Sequence, residues 1–285
     1  AGLINLAVVL IGDYWTGLDR TRLIGRNAAF LTVCLAILPP VGGVLTDLAS
    51  WRLALAPYGL GLVVAFFAWR MLPAGRPDTT VSVKEQLAGI REVVRRPEVV
   101  VVLIGGTVSF IMIFGVFLST LPIHLEDQFG FNASVRGLFL AIPAITSTLM
   151  AFNVQRIRTH IDPRPLLVGC SLLFAAGFAL IGASEIAGLV ALGCFVYGAG
   201  EGALFPTLQD LSVELSPPEH RGAIVAIYVG AARLGQTIGP LGAAAVFGAT
   251  STFWALNLGV GLAIGLALMF LFAPTGTRAA AGTAT

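Results

Sequence analysis

Residues 189–208 read LVALGCFVYGAGEGALFPTL, and residues 223–247 read AIVAIYVGAARLGQTIGPLGAAAVF. Each stretch is apolar and long enough to cross a bilayer, which takes about 20 residues of helix. Each also carries an ionised group, Glu201 in the first and Arg233 in the second. A charge at the bilayer centre costs about 2.5–3.5 kcal/mol on insertion scales, so such residues face a protein interior, pair or act on a transported solute. The two stretches therefore indicate a membrane transporter.

The composition is that of a membrane protein. Hydrophobic residues make up 56% of the 285 residues and charged residues 11%, with a mean hydropathy of +0.89. Soluble domains carry about 25% charged residues. A net charge of +2, without a basic cluster rich in aromatics, argues against a nucleic-acid partner. No Cys/His spacing, phosphate-binding glycine loop or Ser/His/Asp constellation stands out, so we expect no metal, no cofactor and no enzymatic activity.

Apolar segments recur along the chain and predict an all-α, polytopic membrane helical bundle. The chain starts in an apolar run without Met, so we interpret residues 1–12 as the end of a span whose beginning is missing. Full spans are predicted at residues 23–45, 52–72, 99–121, 137–152, 166–183, 189–208, 223–247 and 253–272. Three spans, one of them partial, precede the long loop and six follow it, which predicts an incomplete N-terminal half.

The Lys and Arg residues are distributed unevenly over the loops, and this bias sets the orientation of a membrane protein. Fourteen of the seventeen fall on alternate loops, and only Arg52 and Arg136 fall on the opposite ones. The arginine-rich loops and the C-terminus are therefore predicted to be cytoplasmic, in a multi-pass protein of the inner (plasma) membrane.

The long loop contains an amphipathic pattern. Ser82-Val83-Lys84-Glu85 has the form of a capping box, and apolar residues follow at helical spacing as far as Val94. A helix on the cytoplasmic membrane face explains the pattern, and so does a basic helix packed on protein. The predicted organisation is a partial N-terminal bundle at 1–73, a cytoplasmic linker at 74–98, a six-helix bundle at 99–273 and a cytoplasmic tail at 274–285.

An internal repeat supports the division into two halves. Three pairs of residues match at an offset of 201 positions, namely Asp13 with Glu214, Arg20 with Arg221, and Pro39 with Pro240. Trp51 and Phe253 begin the following spans at nearly the same offset. Parallel six-span repeats occur in one class of transporter.

These motifs resemble the major facilitator superfamily from its fourth to its twelfth helix. Leu38-Pro39-Pro40-Val41-Gly42-Gly43 is similar to the GPxxGG signature of helix five in the drug:proton antiporter branch, with Leu38 in place of the first Gly. Further similarities lie in the turns after helices four and ten, in the start of helix six and in helix eleven: Asp19-Arg20, Glu219-His220-Arg221-Gly222, Trp51-Arg52 and Arg233–Pro240. One departure is Thr159, which stands where an Asp is usual between helices eight and nine.

Glu201 and Arg233 are the candidates for proton coupling or for an ion pair. Both lie about ten residues from the predicted cytoplasmic ends of their spans, so we expect them at similar depth and close together. Gly198, Gly200 and Gly202 leave room beside the carboxylate for water or solute. Two interpretations stay open: a carboxylate that binds and releases a proton, and a static tie between the helices.

Three aromatic residues repeat at helical spacing on the predicted seventh helix and would form one face. Two more aromatic residues flank Glu201, and one glutamine lies inside the predicted span at 223–247. The cavity-lining candidates are therefore Phe110, Phe114, Phe117, Tyr197, Phe205 and Gln236. Lipid contact, helix packing and interhelical hydrogen bonding are the alternatives.

Two further groups of candidates concern conformational change. Helix-distorting prolines and small glycines predict a conformational motif that seals a path through the bundle, at Pro39, Gly42, Gly43, Gly239 and Pro240. Charged residues near the cytoplasmic helix ends are candidates for a gate or for simple surface bridges: Asp13, Arg20, Asp210, Glu214 and Arg221.

The resemblance implies a secondary active transporter that works by alternating access. We expect a monomeric, proton-coupled exporter of small organic compounds or drugs, with protons, the solute and the lipid bilayer as its partners. An uptake symporter or facilitator of the same fold, and a truncated protein that does not transport, are the alternatives.

Overall fold

The computed structural model describes residues 2–48, 52, 59–71 and 91–273, and every regular element within these ranges is helical. The long helices are α1 (Gly2–Tyr14), α2 (Gly17–Leu48), α3 (Leu60–Met71), α4 (Pro97–Phe129), α5 (Ala133–Arg158), α6 (Pro163–Ala183), α7 (Ala187–Glu214), α8 (Arg221–Ala249) and α9 (Thr252–Phe272). Six of them, α4 to α9, are long and apolar enough to cross a membrane. The predicted all-α membrane bundle is confirmed.

The helix boundaries follow from local chemistry. Gly130 ends α4 in the left-handed conformation, with φ 66°, which glycine adopts without steric cost. Asn132 then begins α5, because its Oδ1 accepts a hydrogen bond from the amide of Val135 at 3.0 Å. The short turn between the two helices makes them antiparallel neighbours.

The predicted span at 23–45 left Arg20 and Arg22 in the loop before it, whereas the structure places both residues inside a helix. This helix, α2, begins at Gly17 with φ 57° after a break of only two residues. Arginine is a good helix former, and Asp19 in the first turn is favourable near the positive end of the helix dipole. The side chains of these charged residues therefore project from a helix, and the helical backbone fixes the direction of each one.

The spans α4 to α9 pack around one apolar core. α6 lies between α7 and α9, α5 packs against α7, and α8 packs against α4. The backbones of α4 and α8 touch, because a Cβ added to Gly115 would lie 2.4 Å from the carbonyl oxygen of Gly239. Thr107 also donates a hydrogen bond from α4 to the carbonyl of Ala231 in α8 at 3.0 Å. Such close approach is how small residues join helices within a membrane.

The middle of α4 is a π-helix, at Ile111–Thr120. The hydroxyl of Ser119 donates to the carbonyl of Phe114, five residues earlier, at 2.6 Å. A π-turn is wider than an α-turn and rotates the residues that follow it around the helix axis. Side chains at α-helical spacing on either side of this segment therefore do not share one face.

The first helices pack on the later ones. α2 packs against α5 and α7, and α1 packs against α7 and α8. Of the predicted linker helix, the described part is Arg91–Val94, where Val93 is buried against Val99 and Ile224. The capping box at 82–85, most of the linker and the tail at 274–285 lie outside the described residues, so the proposed division into domains stays a prediction.

Candidate functional site

The best-defined polar site is centred on Asp210, near the C-terminal end of α7. This carboxylate is fully buried and is held by three donors. Arg20 Nε lies 2.5 Å from Oδ1, while Thr21 Oγ1 at 2.6 Å and Arg158 Nη1 at 3.2 Å both donate to Oδ2. A buried charge is tolerated when it is paired and hydrogen-bonded, and Asp210 meets both conditions.

Two further ion pairs are present, one sharing Arg20 with this centre and one formed separately by Arg221 and Asp13. Arg20 Nη2 lies 3.1 Å from Glu214 Oε2, and Arg221 Nη1 lies 2.6 Å from Asp13 Oδ1. The side chains of Glu214 and Asp13 are about half exposed, at 48% and 46%. Three arginines thus face three acids, and the cluster is electrically balanced. We call it the ion-pair network: Asp13, Arg20, Thr21, Arg158, Asp210, Glu214 and Arg221.

The ion-pair network joins helices that are distant in the chain. Arg20 and Thr21 come from α2 and Asp13 from α1, whereas their partners lie on α7 and α8. The structure thus brings together all five residues that the sequence suggested for a gate. Thr21 and Arg158 were missed as members, and the only signal for Arg158 was its place among the basic residues that follow the span predicted at 137–152.

An apolar layer lies next to the ion-pair network. Val8 and Ile24 from the first two helices are buried against Val213 of α7 and Val225 of α8. Gly12 is packed so closely that an added Cβ would lie 2.5 Å from Cγ1 of Val213. The ions and this apolar layer together hold α1 and α2 against the later helices at the arginine-rich end.

Glu201 lies in the same helix as Asp210, about two and a half turns earlier. Within the described residues it makes no ion pair or hydrogen bond. One turn before it, Tyr197 stacks on Phe117 of α4, and one turn after it, Phe205 contacts Phe110 of α4. The register therefore places the half-buried Glu201 between these two contacts, on the side of α7 that faces α4.

Arg233 does not pair with Glu201, so the static tie, one of the two interpretations that the sequence left open, is not seen in the structure. Its guanidinium is exposed and donates from Nη1 to Oε1 of Gln236, one turn along α8. The reason is the direction in which α8 packs. Gly235 and Gly239 face α4, and Arg233 precedes Gly235 by two residues, which is roughly 200° around the helix.

The aromatic candidates fall into two groups. Phe110 and Phe114 are half-buried and stacked at 5.6 Å, and Phe205 meets Phe110 edge-on at 5.2 Å. Phe117 and Tyr197 are instead 3% and 1% exposed, and their rings stack at 4.3 Å in the packed core. The single aromatic face expected for α4 was wrong because the π-helix between residues 111 and 120 turns Phe117 inward.

The candidates for a conformational motif divide into two groups. Those on α8 lie where this helix packs against α4, and those on α2 have side-chain contacts outside the described part of the structure. Gly239 packs on Ile111 and Gly115, with Pro240 beside it in α8. Pro39, Gly42 and Gly43 lie within α2, but their contacts fall outside what the structure describes, so their predicted packing is untested. Among the described residues, no three His, Cys, Asp or Glu side chains are grouped to hold a metal ion.

Known proteins are similar to this chain in sequence. A family model described as Major Facilitator Superfamily matches residues 1–240 and, separately, residues 106–284. The multidrug resistance protein MdtG of Escherichia coli is 28% identical over 217 residues, which are 73% of this chain and 52% of that protein. MdtH of Aeromonas hydrophila, also named a multidrug resistance protein, is 29% identical over 136 residues, which are 47% of this chain and 34% of that protein.

Solved structures share the fold. The human organic anion transporter MFSD10 (TETRAN) superposes with a TM-score of 0.81 at 17% identity, covering 94% of this chain and 68% of that one. The proton:xylose symporter XylE superposes with a TM-score of 0.72 at 16% identity, covering 95% and 68%. This chain spans about a third to a half of the length of the curated relatives it matches. The matches to the family model cover most of it, and the chain belongs to the Major Facilitator Superfamily of membrane transporters.

Proposed function

We propose that this protein is a proton-coupled exporter of small organic compounds that works by alternating access in the inner membrane, with its arginine-rich side and C-terminus in the cytoplasm. The observation that carries the proposal is the ion-pair network, which ties α1 and α2 to α7 and α8 at the arginine-rich end of the long spans. A transporter of this kind needs an end that closes and opens again.

The ion-pair network divides into contacts that opening would break and one that it would keep. Arg20, Thr21 and Asp13 contact their partners across the boundary between the first helices and the later ones. Arg158 and Asp210 lie on α5 and α7, which pack directly on each other. Separation of the two groups of helices would therefore leave Asp210 with Arg158 as its partner.

This division lowers the free-energy cost of opening. A buried carboxylate that lost every partner would cost about 3–5 kcal/mol, more than the roughly 1–3 kcal/mol by which a bound ligand typically biases such an equilibrium. Retention of Arg158 avoids most of that cost. A bound solute or proton then needs only a modest difference in affinity between the two states to shift the equilibrium.

Glu201 is the proposed proton site. It is an ionisable residue inside a span, and such residues mark proton and substrate paths in membrane proteins. Its lack of a partner within the described residues leaves the carboxylate available to a proton, whereas Asp210 is already held by three donors.

The half-buried aromatic rings near Glu201 support an organic solute. Phe110, Phe114 and Phe205 form a contiguous group on α4 and α7, in the stretch where the register places Glu201. Flat apolar compounds stack on such rings. The names of MdtG and MdtH, both multidrug resistance proteins, agree with export of compounds of this kind.

Proteoliposomes with an imposed pH gradient test the proposal. The complete protein is reconstituted, and efflux of a fluorescent aromatic dye is followed together with proton movement. Glu201→Gln should abolish gradient-driven efflux while the purified protein still binds the dye. The matched control is Glu185→Gln, which changes an exposed acid in the turn before α7 and should transport normally. Full gradient-driven efflux by Glu201→Gln at every pH tested would remove the proton role.

A further inference from the structure

A shallow groove, whose lining includes no member of the aromatic group or of the ion-pair network, runs along the outer surface of the bundle between α6 and α9. It has a volume of about 390 Å³ and is lined by Arg164, Pro165, Val168, Gly169, Leu172 and Leu271. Leu172 and Leu271 are about half exposed, at 52% and 46%, while their neighbours Leu166 and Leu167 are buried in the core. The groove therefore opens away from the bundle, toward the lipid that surrounds membrane spans.

One end of the groove carries a fixed positive charge. Arg164 Nε donates to the carbonyl of Phe270 at 3.1 Å, and Nη2 donates to the carbonyl of Leu271. These carbonyls lie at the C-terminal end of α9, where the helix dipole favours a cation. Within the described residues Nη1 has no hydrogen-bond partner, so one edge of the guanidinium stays free.

The position of Arg164 along the membrane matches a lipid headgroup. α6 begins at Pro163 and α9 ends at Phe272, so the guanidinium lies at the ends of two candidate membrane spans, on the arginine-rich side. The apolar part of the groove continues from there to Leu172, roughly 12 Å along α6. Asp162, the nearest acid in the sequence, is exposed before the helix begins, where water screens its charge.

We propose that this groove binds one anionic phospholipid, with its phosphate on Arg164 and the upper part of an acyl chain along Val168, Gly169 and Leu172. Basic sites between transmembrane helices bind such headgroups, and Arg can contact phosphate through two parallel hydrogen bonds. The bound lipid would brace the outer helices α6 and α9 and is separate from the transported solute.

Gly169 permits a sharp test of the groove. A Cβ added there meets no atom within 4 Å, so a leucine at this position can extend into the groove and occupy it while Arg164 itself is unchanged. Arg164→Gln removes the charge. Gly261→Leu is the matched control, because Gly261 is equally open and lies roughly 15 Å along α9 from Leu271.

Native mass spectrometry of the protein purified in detergent measures the lipid directly, with added phosphatidylglycerol or phosphatidylethanolamine as the probe. The wild type and Gly261→Leu should retain one phosphatidylglycerol. Arg164→Gln and Gly169→Leu should each lower the retained fraction about fivefold or more, at unchanged helicity. Equal retention by Gly169→Leu, equal retention of phosphatidylethanolamine, or displacement by millimolar inorganic phosphate would each overturn the proposal. If Arg164→Gln fails to fold, the retention of phosphatidylglycerol by Gly169→Leu alone tests the proposal.

Discussion

The side chains of Arg20 and Asp210 meet at 2.5 Å although the residues are 190 positions apart in the chain. Asp210 is completely buried at this contact and Arg20 is only 8% exposed. The pair therefore lies inside the protein and fixes α2 on α7. Because Arg158 contacts the other carboxylate oxygen, a single acid serves both an arginine from the first helices and an arginine from the later ones.

Replacement of this acid should destabilise the protein clearly. After Asp210→Asn, Arg20 would keep only the half-exposed Glu214, and Arg158 would have no acid within 4.0 Å among the described residues. Removing one partner of a buried ion pair costs about 3–5 kcal/mol. The melting temperature in detergent is expected to fall accordingly.

Glu214→Gln is the matched control for that measurement. Its carboxylate is about half exposed and pairs with Arg20 at the edge of the ion-pair network. Exposed pairs contribute about 0–1 kcal/mol, so the melting temperature should change little. Equal losses in the two variants would mean that Asp210 is not the centre of the network.

Arg20 and Arg158 should differ in their effect on opening. Arg20→Gln removes a contact between the first and the later helices, whereas Arg158→Gln acts between α5 and α7. A cysteine at Val213, in the buried apolar layer, reports on access. With Cys34, Cys170 and Cys194 replaced, thiol labelling of Val213→Cys from the arginine-rich side should rise several-fold with Arg20→Gln. A rise of the same size with Arg158→Gln would contradict the separate roles of the two arginines.

The contact between α4 and α8 gives a prediction for Gly115. A Cβ at this position would lie 2.4 Å from the carbonyl oxygen of Gly239, a backbone atom that cannot move alone. Gly115→Ala should therefore lower stability by about 1–3 kcal/mol, the usual cost of overpacking, measured as thermal unfolding in detergent.

Gly265→Ala is the control, for which the expected change in stability is zero or slightly favourable. Its added Cβ meets nothing within 4 Å, and alanine is the better helix former by about 1 kcal/mol. This variant should be as stable as the wild type or slightly more so. If both glycine variants behave alike, the close approach of α4 and α8 is wrong.

Six of the spans, α4 to α9, and five of the seven members of the ion-pair network could be predicted from the sequence because their signals are local. Twenty apolar residues specify a span wherever they stand, and acids near basic residues at helix ends suggest pairing. Arg158 could not be assigned in this way, because nothing local distinguishes it from its basic neighbours Arg156 and Arg164, and its partner Asp210 lies on another helix. Only the packing of α5 on α7 brings them together.

The errors arose where packing overrides a regular pattern. Phe110, Phe114 and Phe117 follow α-helical spacing, but the π-helix at Ile111–Thr120 breaks that spacing. Arg233 and Glu201 lie at similar distances from their helix ends, but depth does not determine direction. The glycines of α8 turn its packing face to α4 and leave Arg233 exposed.

The separation of Glu201 from Arg233 leads to a last prediction. If the two residues formed a static tie, each single methionine substitution would leave a buried charge unpaired, and the double substitution would restore activity. In the structure Arg233 bonds with Gln236 on its own helix, and Glu201 has no partner among the described residues. Their effects should therefore be independent.

A double-mutant cycle measures this independence. Gradient-driven efflux is compared for Glu201→Met, Arg233→Met and the double variant at equal expression, and the stability of each is followed in detergent. The stability effects should add within about 0.5 kcal/mol, as for residues without shared partners. Efflux should be lost in Glu201→Met and should stay lost in the double variant, because the proposed proton site is absent from both. Recovery of efflux in the double variant would instead establish the static tie and remove Glu201 from the proton path.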